Sequence, residues 1–307
     1  MNILKTNNLS KAYKKHFAVE NVNMTINKGD IYGFIGENGA GKTTIIRLIT
    51  GLAKETSGSY LLFGHKNTDR QIYEGRRRVS AVVETPSLYL NMNAYDNLLL
   101  QCKVLGITEL SYIDEILETV GLAYLRHDKK LVKNFSLGMR QRLGIAVALI
   151  GHPDFILLDE PMNGLDPEGI VEIRELIIKL NKEKNITFLV SSHILGELAK
   201  IATKYGFIHQ GKLIKEITAR DLAIECKKCT ELVLSDVSQI AELFESSLKI
   251  ENYKVLDNNV IRIYEDVDIS LVVSALNKAG IQIKTINNKD ESIEEYYLNL
   301  MGGKRHA

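Results

Sequence analysis

Gly36-Glu37-Asn38-Gly39-Ala40-Gly41-Lys42-Thr43 is the stretch that decides the fold. It fits the phosphate-loop pattern of two glycines with four residues between them, followed by Lys and Thr. Glycines let the backbone fold into a concave nest, with successive N–H groups aimed at phosphate oxygens. A helix starting at the lysine adds its positive N-terminal end to the same place. Lys42 can then reach the β- and γ-phosphates, and the Thr43 hydroxyl can face a Mg²⁺ ion. The flanks suit this reading: Ile31–Ile35 is apolar enough for a buried strand, and Thr43–Leu52 reads as a helix with Gly51 near its end.

A phosphate loop needs a metal-holding acid at the end of another buried strand. Phe155-Ile156-Leu157-Leu158-Asp159 supplies one, and Glu160 follows at once. Asp159 is expected behind the Mg²⁺, and Glu160 is expected to polarise an attacking water. Ile186–Val190 is a further strand, apolar on both faces as parallel strands are. Short strands alternating with helical stretches over residues 1–220 predict an α/β domain.

Composition sets the outer limits. With 307 residues, 45% hydrophobic and 25% charged, the chain has the make-up of a folded protein of about two domains. Its net charge of +1 provides no global basic field, so no nucleic-acid partner is expected. The longest apolar runs, Gly144–Ile150 and Phe155–Leu158, are far too short to cross a bilayer. Met1–Ser10 has no basic-then-apolar character, and a cytoplasmic location is expected unless a partner holds the chain at a membrane. Three cysteines fit a reducing compartment, and the lone pair Cys226/Cys229 has no second ligand pair for zinc.

The balance changes near Asp221. Residues before it carry 29 basic and 23 acidic groups, net +6, whereas Asp221–Ala307 carries 10 and 15, net −5. The second segment reads as strand Glu231–Leu234, helix Ser238–Leu248, a hairpin of Tyr253–Leu256 and Val260–Tyr264, helix Ile269–Lys278, strand Ile281–Ile286 and helix Ile293–Met301. That β-α-β-β-α-β order predicts a small α+β, ferredoxin-like domain at 221–307. It carries no recognisable chemistry, and an accessory role is expected.

Further motifs carry a family resemblance. Ser136-Leu137-Gly138-Met139-Arg140-Gln141-Arg142 resembles the signature of ABC ATPases. Asn163-Gly164-Leu165-Asp166 looks like the family's D-loop, His193 like its switch histidine, and Tyr13 stands where the family stacks an aromatic ring on adenine. The resemblance spans about residues 1–220. It implies a P-loop NTPase domain with a RecA-like core and a helical subdomain near residues 90–150, and ATP and Mg²⁺ as cofactors. By the resemblance, Tyr13, Gly36, Asn38, Gly39, Ala40, Gly41, Lys42, Thr43 and Thr44 bind nucleotide. Ser136, Gly138 and Asp166 bind it from a second copy in a head-to-tail ATP sandwich, while Glu160, His193 and Lys42 are catalytic. The other implied partners are separate transmembrane permease subunits, and the helical Tyr95-to-Val120 region suits docking to them.

Two departures narrow the resemblance. Glu84 follows the Ala81–Val83 strand where most ABC ATPases have glutamine, which would put a full negative charge among the metal ligands Thr43 and Asp159. Leu137 and Met139-Arg140 replace smaller residues in the signature. A glutamate in this loop looks like the ATPase subunits of lantibiotic self-immunity exporters. The signature form and Ser292-Ile293-Glu294-Glu295-Tyr296-Tyr297 resemble that group and the related bacitracin-resistance group. The resemblance thus implies an ATP-hydrolysing exporter subunit on the cytoplasmic face of the membrane. An exporter of another substrate and a non-transport ABC ATPase remain open; against the latter stand a single cassette and the lack of a heptad array.

Overall fold

The computed structural model describes residues 1–109, 111–226, 228–238, 240–265, 267–290 and 293–301. The chain forms two compact units, Met1–Arg220 and Asp221–Ala307.

In the first unit, a six-stranded sheet runs Lys212–Thr218, Lys204–His209, Ile31–Ile35, Thr187–Ser192, Phe155–Asp159, Val79–Val82. All neighbours are parallel except the Lys212–Thr218 edge strand. The three central strands are buried at every position, so they hold apolar stretches such as Phe155–Leu158 and Phe188–Val190 rather than alternating patterns. Ligands of such sheets collect where the strands end at their carboxyl side. Ile35, Asp159 and Ser192 are those ends here, because Ile35 pairs with Ser192 and Asp159 with Ser191.

A second, mainly antiparallel sheet joins Asn2–Tyr13 to His16–Val22, Thr25–Asn27 and Ser57–Leu62, with His65–Lys66 on its edge. The Lys42–Thr50 helix lies between the sheets, its Ile45, Ile46, Leu48 and Ile49 in one core with Leu4, Phe34, Tyr60 and Leu157. Gly51 closes this helix in a left-handed conformation, φ +82°. Helices Ala94–Leu105, Ser111–Thr119 and Leu137–Leu149 pack on one another after the Val79–Val82 strand. Among the described residues no helix is long and apolar enough to cross a membrane.

The second unit has its own core, centred on Leu232, Leu234, Ile240, Phe244, Ile261 and Leu276. Its antiparallel sheet runs Tyr253–Leu256, Val260–Ile263, Lys228–Leu234, Ile283–Asp290. With strands numbered in chain order this is 2-3-1-4, the split βαβ arrangement. The hairpin and the Ile269–Lys278 helix lie where the sequence pattern puts them. The last strand lies further along, at Ile283–Asp290 rather than Ile281–Ile286. Its register with Lys228–Leu234 extends pairing through Asn287 and Asn288, polar residues that an edge strand tolerates and an apolar pattern overlooks. The expected Ser238–Leu248 helix is α over Ile240–Glu242 and π over Leu243–Leu248. Buried Arg262 pairs with Glu231 at 2.8 Å and with Glu295; burial alone would lower the guanidinium pKa, but these carboxylates raise it on balance. Ser292, part of the motif shared with the peptide exporters, lies outside the described residues.

Leu189, fully buried in the central Thr187–Ser192 strand, tests the core assignment. Leu189→Ala should cost about 2–5 kcal/mol and lower the urea midpoint, whereas Val255→Ala, at 45% exposure, should move stability by less than about 0.5 kcal/mol.

Candidate functional site

The phosphate loop leaves the Ile31–Ile35 strand at Gly36 and enters the Lys42–Thr50 helix from Gly41. Both glycines are required. Gly41 has φ +110° and a Cβ there would lie 2.5 Å from the Ala18 carbonyl oxygen, while one on Gly36 would lie 2.4 Å from that of Ile208. Backbone therefore walls the loop on its outer side, and the Glu37-Asn38-Gly39 tip faces solvent, with Ala40 buried behind it. No side chain caps the helix and its first turn holds no acidic residue, so its N-terminal amides are available to an anion. Lys42 is buried and donates to the carbonyls of Gly36 at 2.5 Å and Glu37 at 3.2 Å. Thr44 is half-buried beside Thr43.

Two carboxylates face this loop from the end of the next strand but one. Asp159, only 3% exposed, accepts from the Thr43 hydroxyl at 2.7 Å through Oδ2 and from the Ser191 hydroxyl at 2.6 Å through Oδ1. Glu160 sits in left-handed backbone, φ +51°, a conformation that costs roughly 1–2 kcal/mol for a residue with a side chain. Its N–H donates to Ser191 Oγ at 2.9 Å. Its carboxylate lies between Lys42 Nζ, 3.0 Å from Oε1, and His193 Nδ1, 2.7 Å from Oε2. Oε1 is buried and accepts no directed hydrogen bond despite the nearby ammonium. An acceptor oxygen of this kind can take a proton from water. Lys42, Thr43, Asp159, Glu160 and His193 are thus gathered into one cluster.

The donor set suits Mg²⁺. Thr43 Oγ1 and Asp159 Oδ2 present two hard oxygens side by side. Among the described residues no group of three or more His, Cys, Asp or Glu is placed to hold a metal unaided. Mg²⁺ commonly takes its remaining ligands from phosphate and water.

Glu84 follows the Val79–Val82 strand with φ +61°, and its Oε1 accepts from Arg47 Nη2 at 2.6 Å. Arg47 lies in the last turn of the phosphate-loop helix, a partner the loop sequence alone does not reveal. Tyr13 ends its strand opposite His16, 47% exposed, with Lys11 Nζ 5.0 Å from the ring centre.

Ser136, Gly138 and Asp166 lie elsewhere. Ser136 caps the Leu137–Leu149 helix by accepting from Met139 N at 3.2 Å. Asp166 caps Pro167–Lys184 by accepting from Gly169 N at 3.0 Å. Both helix starts open on one cleft of about 510 Å³, also lined by Gly138, Tyr124 and Arg142. No hydrogen bond or ion pair links these three residues to the phosphate loop. Sequence reasoning missed Ser191 and Arg47; the signal for Ser191 was a polar residue directly after the apolar Phe188-Leu189-Val190 run, two positions before His193.

Comparisons with known proteins give the family. Residues 19–163 match the family model described as ABC transporter. The chain is 44% identical over 305 residues to the bacitracin transport ATP-binding protein BcrA of Bacillus licheniformis, covering 98% of both. It is 48% identical over 214 residues to the lantibiotic transport ATP-binding protein SrtF of Streptococcus pyogenes, covering 70% of this chain and 90% of that one. Among solved structures, the dimeric post-hydrolysis state of the ATP-binding cassette MJ0796 bound to ADP and Pi superposes with a TM-score of 0.63 at 25% identity, over 71% of this chain and 99% of that one.

Replacing Glu160 by Gln removes a carboxylate oxygen able to accept a proton while keeping the side chain's shape. Glu160→Gln should retain ATP in an equilibrium binding assay and slow phosphate release about 10²- to 10⁴-fold; wild-type turnover would remove Glu160 from that role.

Proposed function

The chain belongs to the ATP-binding subunits of ABC transporters, and from that premise we propose that it powers export of an antimicrobial peptide of the bacitracin or lantibiotic type. The observation that carries this reading is the 44% identity to a bacitracin transport ATP-binding protein along 98% of both chains, which takes in the Asp221–Ala307 unit as well as the cassette. The lantibiotic relative is more alike where it aligns but matches only 70% of this chain. The second unit therefore favours the bacitracin type.

The residues divide the work as follows. The Gly36–Gly41 backbone and the uncapped helix start hold the phosphates, with Lys42 exchanging its carbonyl partners for phosphate oxygens. Mg²⁺, when bound, screens the charge of the β- and γ-phosphates. Thr43 and Asp159 would hold it. Glu160 accepts a proton from the attacking water, and His193 steadies the Glu160 carboxylate and the γ-phosphate. Tyr13 stacks on adenine.

Ser136 and Gly138 act across a head-to-tail dimer on nucleotide held by the other copy. Their separation from the phosphate loop of their own chain supports this, as does the dimeric state of the MJ0796 cassette. The chain works as a peripheral subunit on the cytoplasmic face, docked on separate membrane subunits. Glu84, freed from Arg47, would add a third oxygen, from its carboxylate, beside those of Thr43 and Asp159 for a bound Mg²⁺. The exposed pair is worth little in water, so exchange of partners costs little.

Expression with its membrane subunits in a sensitive Gram-positive host, scored by growth on bacitracin and a lantibiotic panel, tests the reading. Protection is expected, and Glu160→Gln should abolish it. No protection with all subunits present and ATP hydrolysis intact would overturn the peptide assignment. Glu84→Gln should keep ATP binding and hydrolysis within about threefold yet lose most of the protection, since a neutral ligand weakens the metal-side charge. Unchanged resistance would exclude Glu84 from coupling.

A further inference from the structure

We propose that Ser191 is a positioning residue for ATP hydrolysis, its single hydroxyl fixing the metal-side carboxylate of Asp159 and the backbone of Glu160 in one hydrogen-bonded chain. The inference rests on the roles proposed above for those two acids.

Ser191 lies near the end of the Thr187–Ser192 strand and is fully buried. A buried hydroxyl must find partners or carry the cost of desolvation. Here both of its capacities are used, and both partners are in the site: it donates to Asp159 Oδ1 at 2.6 Å and accepts from Glu160 N at 2.9 Å. The first bond leaves Asp159 one free direction, so Oδ2 is turned to Thr43, 2.7 Å away. The second, the shorter of two bonds from Glu160 N, which also donates to the Ser191 carbonyl at 3.2 Å, helps hold the left-handed backbone of Glu160, and that conformation aims its carboxylate between Lys42 and His193. Pro161 follows Glu160 and disfavours right-handed helical backbone there, so the turn has few alternatives once this bond is made.

The neighbouring hydroxyl is committed elsewhere. Ser192 Oγ accepts from Ile194 N at 2.9 Å, in the turn that follows His193. Ser191 also joins the strand carrying the two acids to the one leading into His193, because Ser191 pairs directly with Asp159 in the sheet. One oxygen thus ties the metal-side acid to the backbone of the water-side acid.

The test compares Ser191→Ala with Thr187→Ala in the full-length chain, measuring kcat, KM for ATP and the Mg²⁺ concentration for half-maximal activity. Thr187 is buried on the same strand, and its hydroxyl accepts from Gly29 N at 2.9 Å, so its loss is a matched structural lesion. Ser191→Ala should lower kcat roughly 10- to 100-fold and raise the Mg²⁺ requirement several-fold, with KM within about threefold, as removal of a hydrogen bond behind a metal ligand does. Thr187→Ala should shift the melting temperature similarly and leave all three kinetic values near wild type. Wild-type kcat in Ser191→Ala, or equal loss of kcat in both variants, would overturn the proposal. Glu160→Gln run alongside separates the two readings. Loss of turnover there with none in Ser191→Ala defeats only this inference, whereas full turnover in Glu160→Gln defeats the assignment of the acid itself and the inference with it.

Discussion

A carboxylate at the end of an apolar strand is the constraint around which the cassette is organised. Phe155, Ile156, Leu157 and Leu158 are fully buried, and they carry Asp159 into the interior with only 3% of its surface exposed. An ionised group in such a place needs hydrogen bonds or opposite charge. It finds Thr43 from the phosphate-loop helix and Ser191 from the neighbouring strand. Those two bonds connect three separate segments of chain at one point. Glu160 then has its place set by the strand end, by Ser191, by the ion pair to Lys42 and by the contact with His193 Nδ1. The site is therefore a ring of contacts, in which each functional side chain is also a structural partner of the next.

The signature and D-loop segments obey a different logic. Ser136 and Asp166 each cap a helix, so both residues have local reasons to be present. What makes them a surface is that the two helix starts share one cleft, with Leu137 against Gly164 and Leu165 near Gly138. The uncapped start of the Lys42–Thr50 helix contrasts with these two capped ones. One helix keeps its amides for an external anion, while the others satisfy theirs internally.

The Arg47–Glu84 pair is the least constrained part of the site. Both side chains are substantially exposed, and the backbone at Glu84 is left-handed. Water screens such a pair, so its partners can change, whereas the buried Asp159 contacts resist exchange.

The sequence by itself determined the phosphate loop, the two acids, the buried parallel strands and the β-α-β-β-α-β order of the second unit. Each of these is a local matter: glycine spacing sets a backbone path, an apolar run sets burial, and residue period sets helix or strand. It did not determine where Glu84 points, because its partner Arg47 is 37 positions away in sequence. The role of Ser191 was equally invisible, since it depends on sheet register setting that residue opposite Asp159. The last strand extended beyond its apolar run for the same reason, register with Lys228–Leu234 overriding local hydrophobicity. Local pattern fixes which chemistry the chain carries; only the packing of distant segments decides which groups meet.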